Sequence, residues 1–219
     1  MTWDVRRFTE HPADFHARTV PEPATRSVWV CEPTAPAVVL GSAQPSDRID
    51  GAAAAAAGIA VVRRHSGGGA VLVVPGQLLW VDVVLPAGDE RWHPDVGVAA
   101  HWVGTAWAAA LAALGHPAEV HRGAMVSTAW SSDVCFAGLG PGEVRVHGRK
   151  VVGISQRRTR RWVRFQCAAL RQWDPVTLVE LLALEPAQRA AARRELEVVA
   201  AGVAVDAEVL LATLVTHLG

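Results

Sequence analysis

Residues 61–85 read VVRRHSGGGAVLVVPGQLLWVDVVL: an apolar strand, three successive glycines, a short apolar run, a Pro-Gly turn and a longer strand. This order decides the fold class. With the two residues before it, IAVVRR (59–64) predicts a strand and HSGGGAV a tight glycine turn. VLVVPGQLLWVDVVLP (71–86) predicts two strands or one long bent one, and the alternation in LLWVDVV predicts one buried face.

Upstream, AVVLGSAQ (37–44) predicts a buried strand ending in a glycine turn. SDRIDGAAAAAAG (46–58) predicts a helix with Ser46 or Asp47 as N-cap. The first 35 residues carry prolines at 12, 21, 23 and 33 and predict irregular chain, with one strand near SVWVCE. Downstream, Asp95–Leu114 has the length and apolar composition of a helix closing on Gly115. AEVHRG, GEVRVHGRKVVGISQRR and WVRFQCAAL then predict an antiparallel meander, and TLVELLAL, PAQRAAARRELEVVA and VDAEVLLATLVTHL predict helices. With no repeat or long linker, the expectation is one mixed α/β (α+β) domain over 1–219, in which 1–36 form the N-terminal segment and 174–219 the closing helices.

Composition narrows the function classes. The chain has 219 residues, 51% of them hydrophobic, enough for a substantial core, and 21 Lys plus Arg balance 21 Asp plus Glu. No global field therefore draws it to nucleic acid or an anionic membrane. Three cysteines (31, 135 and 167) make neither a disulfide framework nor a paired zinc motif, which predicts a reducing, cytoplasmic setting. A charged N-terminus and no apolar run of 18 residues predict a soluble chain. The nine histidines show no HxxxH or HExxH spacing, so no metal site is expected.

Three stretches could carry chemistry. In RRHSGGGAV (63–71), Gly67, Gly68 and Gly69 allow close backbone approach to a ligand, with N–H groups suited to phosphate or carboxylate oxygens; an ordinary hairpin turn is the plainer reading. His65 is placed to touch such a ligand. The stretch lacks GxxxxGK[ST], and a strand follows it, so it is neither a P-loop nor a dinucleotide fingerprint. In GRKVVGISQRR (148–158), Lys150 opens an apolar strand, where it requires an anionic partner, a shifted pKa or a route to solvent. Cys135 borders a Gly/Pro loop fifteen residues before Lys150, and a nearby ammonium favours the thiolate; a cysteine read alone is more often a packing residue. Cys167 ranks second as nucleophile, and Cys31 reads as core. The run RRTRRWVR (157–164) reads as a solvated hairpin tip or a patch for an acidic protein partner.

Taken in order, AVVLGSAQ, VVRRHSGGGAV, CF(x8)EVRVHGRKVVGISQRR and FQCAAL resemble the lipoate-protein ligase and octanoyltransferase family, over residues 37 to 215. The pair RRxSGGGAV and GRKxxG(x)xQ is specific, though each motif alone is weak. The resemblance implies the biotin/lipoate protein ligase fold, with a mixed, largely antiparallel sheet flanked by helices around an acyl tunnel. It implies that Lys150 holds the acyl carbonyl and stabilises developing charge. It further implies that Arg63, Arg64, Ser66, Gly67, Gly68, Gly69 and Val71, with Gly153, Ser155, Gln156 and Arg157, surround the acyl head.

The Cys135-Phe136 to Lys150 spacing is similar to that of the cysteine-dependent octanoyltransferase branch. There a cysteine takes octanoyl from an acyl carrier protein thioester and passes it to a lysine of a lipoyl domain, with no cofactor. The rival implication is an ATP- and magnesium-dependent lipoate ligase working through an adenylate, and a third is a non-catalytic binder of acyl groups or carriers. Acyl carrier protein and lipoyl-domain proteins are the implied partners, and a monomer the implied state. Departures from the family pattern are Val73 and Val74 in place of a His-Asp pair, Gln166 or Cys167 in place of a later histidine, and an atypical N-terminus.

Overall fold

The computed structural model describes residues 3–219. Seven strands form one sheet: β1 (Asp4–Glu10), β2 (Ser27–Pro33), β6 (Leu78–Pro86), β7 (Ala118–Val120), β8 (Val144–Val146), β9 (Arg149–Arg158) and β10 (Trp162–Leu170). Their spatial order is β1-β2-β6-β10-β9-β8-β7, and every pairing is antiparallel except β1 with β2. A second sheet holds β4 (Ala60–Arg63), β3 (Ala37–Leu40) and β5 (Val71–Val73). The glycine turn thus joins two strands that flank β3, and β5 and β6 belong to different sheets. The mixed, largely antiparallel fold class agrees with the sequence expectation.

The centre of the large sheet is buried on both faces, which corrects the single buried face read from LLWVDVV. Every residue from Leu78 to Leu85 is buried. One face carries Leu79, Val81, Val83 and Leu85 and packs on α4 (His101–Ala113) and α7 (Ala207–His217) through Val103, Trp107, Leu111 and Leu214. The other face carries Trp80 and Val84 and packs with Phe15 and Trp29 against Val39, Val62 and Val73 of the small sheet. A strand covered on both sides reads as a continuous apolar run, so alternation in this stretch did not reveal which face is wet.

Three further expectations change. The N-terminal segment is regular: β1 leads into α1 (Pro12–Ala17), where Pro12 opens the helix and His11 caps it by accepting from the Ala13 N–H at 3.2 Å. The alanine helix α2 (Gly51–Ala56) starts later than expected. Asp50, rather than Ser46 or Asp47, caps it, accepting from Ala52 and Ala53 N–H at 3.1 and 3.0 Å. The long helix is two segments, α3 (Val96–Ala99) and α4, meeting at Ala100, where Gly142 packs so closely that a Cβ there would lie 2.7 Å from the Ala100 Cβ. Residues 96–113 together are long and apolar enough to cross a membrane by length and composition, with mean hydropathy 1.4, yet half of that stretch is buried inside the protein. Helices α5 (Pro175–Glu180) and α6 (Pro186–Glu197) close a satellite core around Leu178, Leu182 and Leu196.

Candidate active site

Between the two sheets lies an apolar cavity of about 460 Å³, its open mouth included, walled by Val39, Val71, Val73, Leu78, Trp80, Phe136, Gly153 and Ala168. Cys135, Arg64, Ser155, Gln166 and His16 bring polar atoms to the same space.

Backbone contact seats Cys135 there. Ala70 N–H donates to Asp133 O at 2.8 Å and Cys135 N–H donates to Ala70 O at 3.0 Å, so the end of the glycine turn pairs with the chain leading to the cysteine. Gly69 permits that pairing, since a Cβ at 69 would fall 2.7 Å from Val134 N. Gly41 permits the next layer, since its Cβ would fall 1.8 Å from Gly68 O. Gly68 has φ +101°, and a side chain starting there would begin 2.9 Å from Arg64 Nη2 and 3.5 Å from Cys135 Sγ. The guanidinium and the thiol therefore flank one point. Part of the glycine signal is packing: the turn is shaped to meet residues 133–135.

Arg64 is 4% exposed and has no carboxylate partner among the described residues. It donates to Val39 O at 3.2 Å, Gly67 O at 2.8 Å and Gly69 O at 2.9 Å, which fixes the glycine turn and leaves its positive charge uncompensated beside the cavity. The N–H groups of Gly67, Gly68 and Gly69 donate to no protein acceptor among the described residues.

Lys150 is 3% exposed and spends all three ammonium donors within the fold: on Cys135 O at 2.8 Å, Gly138 O at 2.9 Å and Glu143 Oε2 at 2.7 Å. It also lies 4.9 Å from the Phe136 ring centroid. The ammonium is thus aimed at the carbonyl oxygen of Cys135 rather than its thiol, and its charge is matched by Glu143. Glu143 is itself buried and accepts from Gly140 N–H at 2.7 Å and Ile154 N–H at 3.1 Å. Sequence reading passed over Glu143, although a carboxylate across a hairpin from a lysine in an apolar strand was the available signal.

A polar relay runs along the cavity wall. Ser66 Oγ donates to Gln166 Oε1 at 2.8 Å, which turns the Gln166 amide so that Nε2 donates to His16 Nδ1 at 3.2 Å. Ser66 has one hydroxyl proton, so Ser155 is the donor in their 2.9 Å bond. His16 is held neutral, its pKa brought down to about 3 by burial and then by the positive charges of Arg164 and Arg64. Beneath this relay Arg164 pairs with Asp82 and donates to Arg18 O and Phe15 O, both at 2.9 Å, while Trp80 Nε1 donates to Asp82 Oδ1 at 2.9 Å.

Of the other predicted site residues, Gly153 and Cys167 line the cavity, whereas Arg63, His65, Gln156 and Arg157 do not. Arg63 turns outward and donates to Gly41 O at 2.9 Å, bracing the loop after β3. Gln156 lies on the opposite face of β9 and donates to Val96 O at 2.8 Å. Arg157 stacks over Trp162 with 5.5 Å to the ring centroid. His65 is exposed and Gly153 forms cavity wall. Cys31 and Cys167 are buried, and burial pushes both thiols well up. Among the described residues no group of three His, Cys, Asp or Glu could hold a metal ion. In the run at 157–164, Arg158 donates to Pro94 O and His93 O and Arg164 is buried, while Arg160 and Arg161 are exposed at the hairpin tip, Arg161 paired with Glu22.

A helix-backed sheet facing a smaller sheet across an apolar cavity, with a glycine turn at its edge, is the architecture of the lipoate and biotin protein ligases. The chain belongs to the family of the lipoyl protein ligase A/B catalytic domain, whose family model matches residues 13–213. Among solved structures it is similar to a bi-partite lipoate protein ligase from Thermoplasma acidophilum, studied with its E2 lipoyl domain, at TM-score 0.77 and 16% identity over 99% of this chain and 82% of that one. A lipoate-protein ligase A bound with ATP is similar at TM-score 0.71 and 17% identity, over 99% and 84%. The biotin protein ligase of Aquifex aeolicus, in complex with biotin and ATP, is similar at TM-score 0.52 and 11% identity, over 98% and 68%. No curated protein matches the chain.

Proposed function

We propose that the protein transfers an octanoyl or lipoyl group from a carrier thioester to a lysine of a lipoyl domain through an acyl-enzyme on Cys135. The observation that carries this reading is the part-exposed Cys135 thiol, facing an apolar cavity and sharing the Gly68 position with the uncompensated Arg64 guanidinium. A fixed positive charge stabilises a tetrahedral oxyanion developing beside it. The free N–H groups of residues 67–69 are the donors available to that oxyanion.

In the first step the Cys135 sulfur bonds to the acyl carbonyl carbon, the donor's C–S bond breaks, and the donor leaves as a thiol carrying the cysteine's proton. In the second, the acceptor amine bonds to the same carbon, the bond to Cys135 breaks, and the amine's proton returns to the thiolate. Lys150 acts here as a positioning residue: with Glu143 it clamps the carbonyls of Cys135 and Gly138 and so fixes the cysteine turn. The hydrophobic cavity would take the acyl tail.

The second reading, an ATP-dependent lipoate ligase, is favoured by the ATP-bound neighbour. In that reading Lys150 and Arg157 would contact the acyl-adenylate; Lys150 is held by Glu143 and two carbonyls, and Arg157 lies over Trp162.

Incubating the protein with octanoyl-acyl carrier protein, without ATP, and weighing it intact tests the proposal. A single hydroxylamine-labile adduct, absent in Cys135→Ala, is expected. An adduct that survives that substitution contradicts the assignment, and pyrophosphate release with lipoate and ATP supports the ligase.

A further inference from the structure

On the hairpin at 157–164, Arg157, Arg158, Arg161 and Arg164 contact protein groups and Arg160 alone stands exposed without a partner among the described residues, whereas a second basic surface gathers two such arginines on one groove. A groove beside α5 and α6 is lined by Arg149, Arg171, Arg193 and Arg194 around Trp173 and Val176. It encloses about 1160 Å³ of open space. Of its two acidic members, Asp174 is occupied in capping α5, accepting from Val176 N–H at 2.9 Å and from Thr177 Oγ1 at 2.6 Å, and Glu197 is exposed. Arg193 pairs with Glu180, and Arg171 donates to Val205 O and Gly76 O. Arg149 and Arg194 are exposed and make no side-chain hydrogen bond or ion pair among the described residues. Val176, 49% exposed, adds an apolar edge.

The groove adjoins the reactive cavity. Its wall, residues 200–202, is tied to the strand that carries Lys150: Lys150 N–H donates to Val199 O and Ala201 N–H to Lys150 O, each at 3.0 Å. Trp173 faces Phe136, the neighbour of Cys135, with 5.8 Å between ring centroids, and a small cavity lies between them and Val71. One layer of side chains therefore separates the groove from the cysteine turn.

We propose that this groove seats the acceptor: an acidic face of the small carrier domain that presents the lysine to be acylated. The inference rests on the acyl-enzyme reading above. Arginines beside the partly buried Trp173 and the exposed Val176 form the kind of surface that carboxylate-bearing partners bind, with bidentate geometry open to Arg149 and Arg194. Fixed positive charge beside the arriving lysine also favours its uncharged, nucleophilic amine, which suits an acceptor rather than a thioester donor.

The test separates the two steps. Cys135 is first loaded from octanoyl-N-acetylcysteamine, a donor too small to need a docking surface, and transfer to an acidic lipoyl-carrier domain is followed by intact mass in a single turnover. Arg149→Glu and Arg194→Glu are expected to load within about twofold of wild type yet transfer roughly tenfold more slowly. Arg160→Glu, on the hairpin, is expected to change neither step, and wild-type transfer is expected to slow as salt rises. Unchanged transfer in both groove variants overturns the proposal, as does a defect confined to loading from acyl carrier protein, which would make the groove a donor site. If the wild type takes no acyl group, the acyl-enzyme reading fails while the groove is still tested by direct binding. Salt-sensitive capture of the carrier domain that either substitution weakens supports it, and unaltered capture overturns it.

Discussion

The same three strands, β6, β9 and β10, present two unlike faces. Toward α4 and α7 they show Val81, Val83, Phe165 and Cys167, an apolar surface whose charged group, Arg158, sits at the end of β9. Toward the small sheet the intervening residues are Trp80, Asp82, Arg164, Gln166 and Ser155. Both faces are buried, and only one is reactive. Burying charge is costly unless it is paired, so the polar face is kept where it serves a site and the apolar face supplies the stability that supports it. The comparison teaches that stability and chemistry are divided by the two-residue period of a strand.

This division can be broken from either side. Arg164→Met leaves the Asp82 carboxylate buried without its partner and is expected to cost about 3–5 kcal/mol in urea unfolding. Adding Asp82→Val should recover most of that loss, because the pair is then replaced rather than broken. On the helix side, Leu111→Ala is expected to cost about 3 kcal/mol through lost burial and a cavity, while acyl loading per folded molecule stays at the wild-type level. Equal loss of loading would show that the two faces are not separable.

A pH series sharpens the contrast. His16 is neutral when folded, with its pKa lowered to about 3, whereas an unfolded histidine titrates near 6.5. Between those values the unfolded chain binds the extra proton, so stability falls as pH drops through this window, by about 1.4 kcal/mol per unit. From pH 7 to 5 the wild type should lose about 2 kcal/mol more than His16→Phe in denaturant titrations. Ser155→Ala has the smallest expected effect, about 1 kcal/mol in the same titration, because it removes one neutral hydrogen bond while Ser66 keeps its bond to Gln166.

Much of the scaffold was legible in the sequence. Strands β3, β4, β9 and β10 and the closing helices announce themselves by apolar runs bounded by Gly and Pro, and the motifs around 63–71 and 148–158 pointed to the family. The N-terminal β1 and α1 did not, because prolines at 12, 21 and 23 read as irregular chain although Pro12 is a favourable first helical residue. At the site, Arg64, Ser66, Val71, Cys135, Gly153 and Ser155 gather at or beside one cavity, but spacing could not tell which atom of Cys135 the Lys150 ammonium meets. Pairing partners far apart in sequence, such as Glu143 with Lys150 and His16 with Gln166, depend on register and on a helix docking across the sheet, neither of which a single strand's pattern encodes. The hairpin run 157–164 looked basic because the sequence does not show that Arg158 and Arg164 turn inward.

The central claim is that Cys135 carries the acyl group, and peptide-resolved mass spectrometry of the protein after reaction with octanoyl-acyl carrier protein tests it most directly. The account predicts one octanoyl group on the peptide containing Cys135 and none on those containing Cys31 or Cys167. An octanoyl group on Cys167 or Lys150, or no modification under conditions where lipoate and ATP release pyrophosphate, would contradict it.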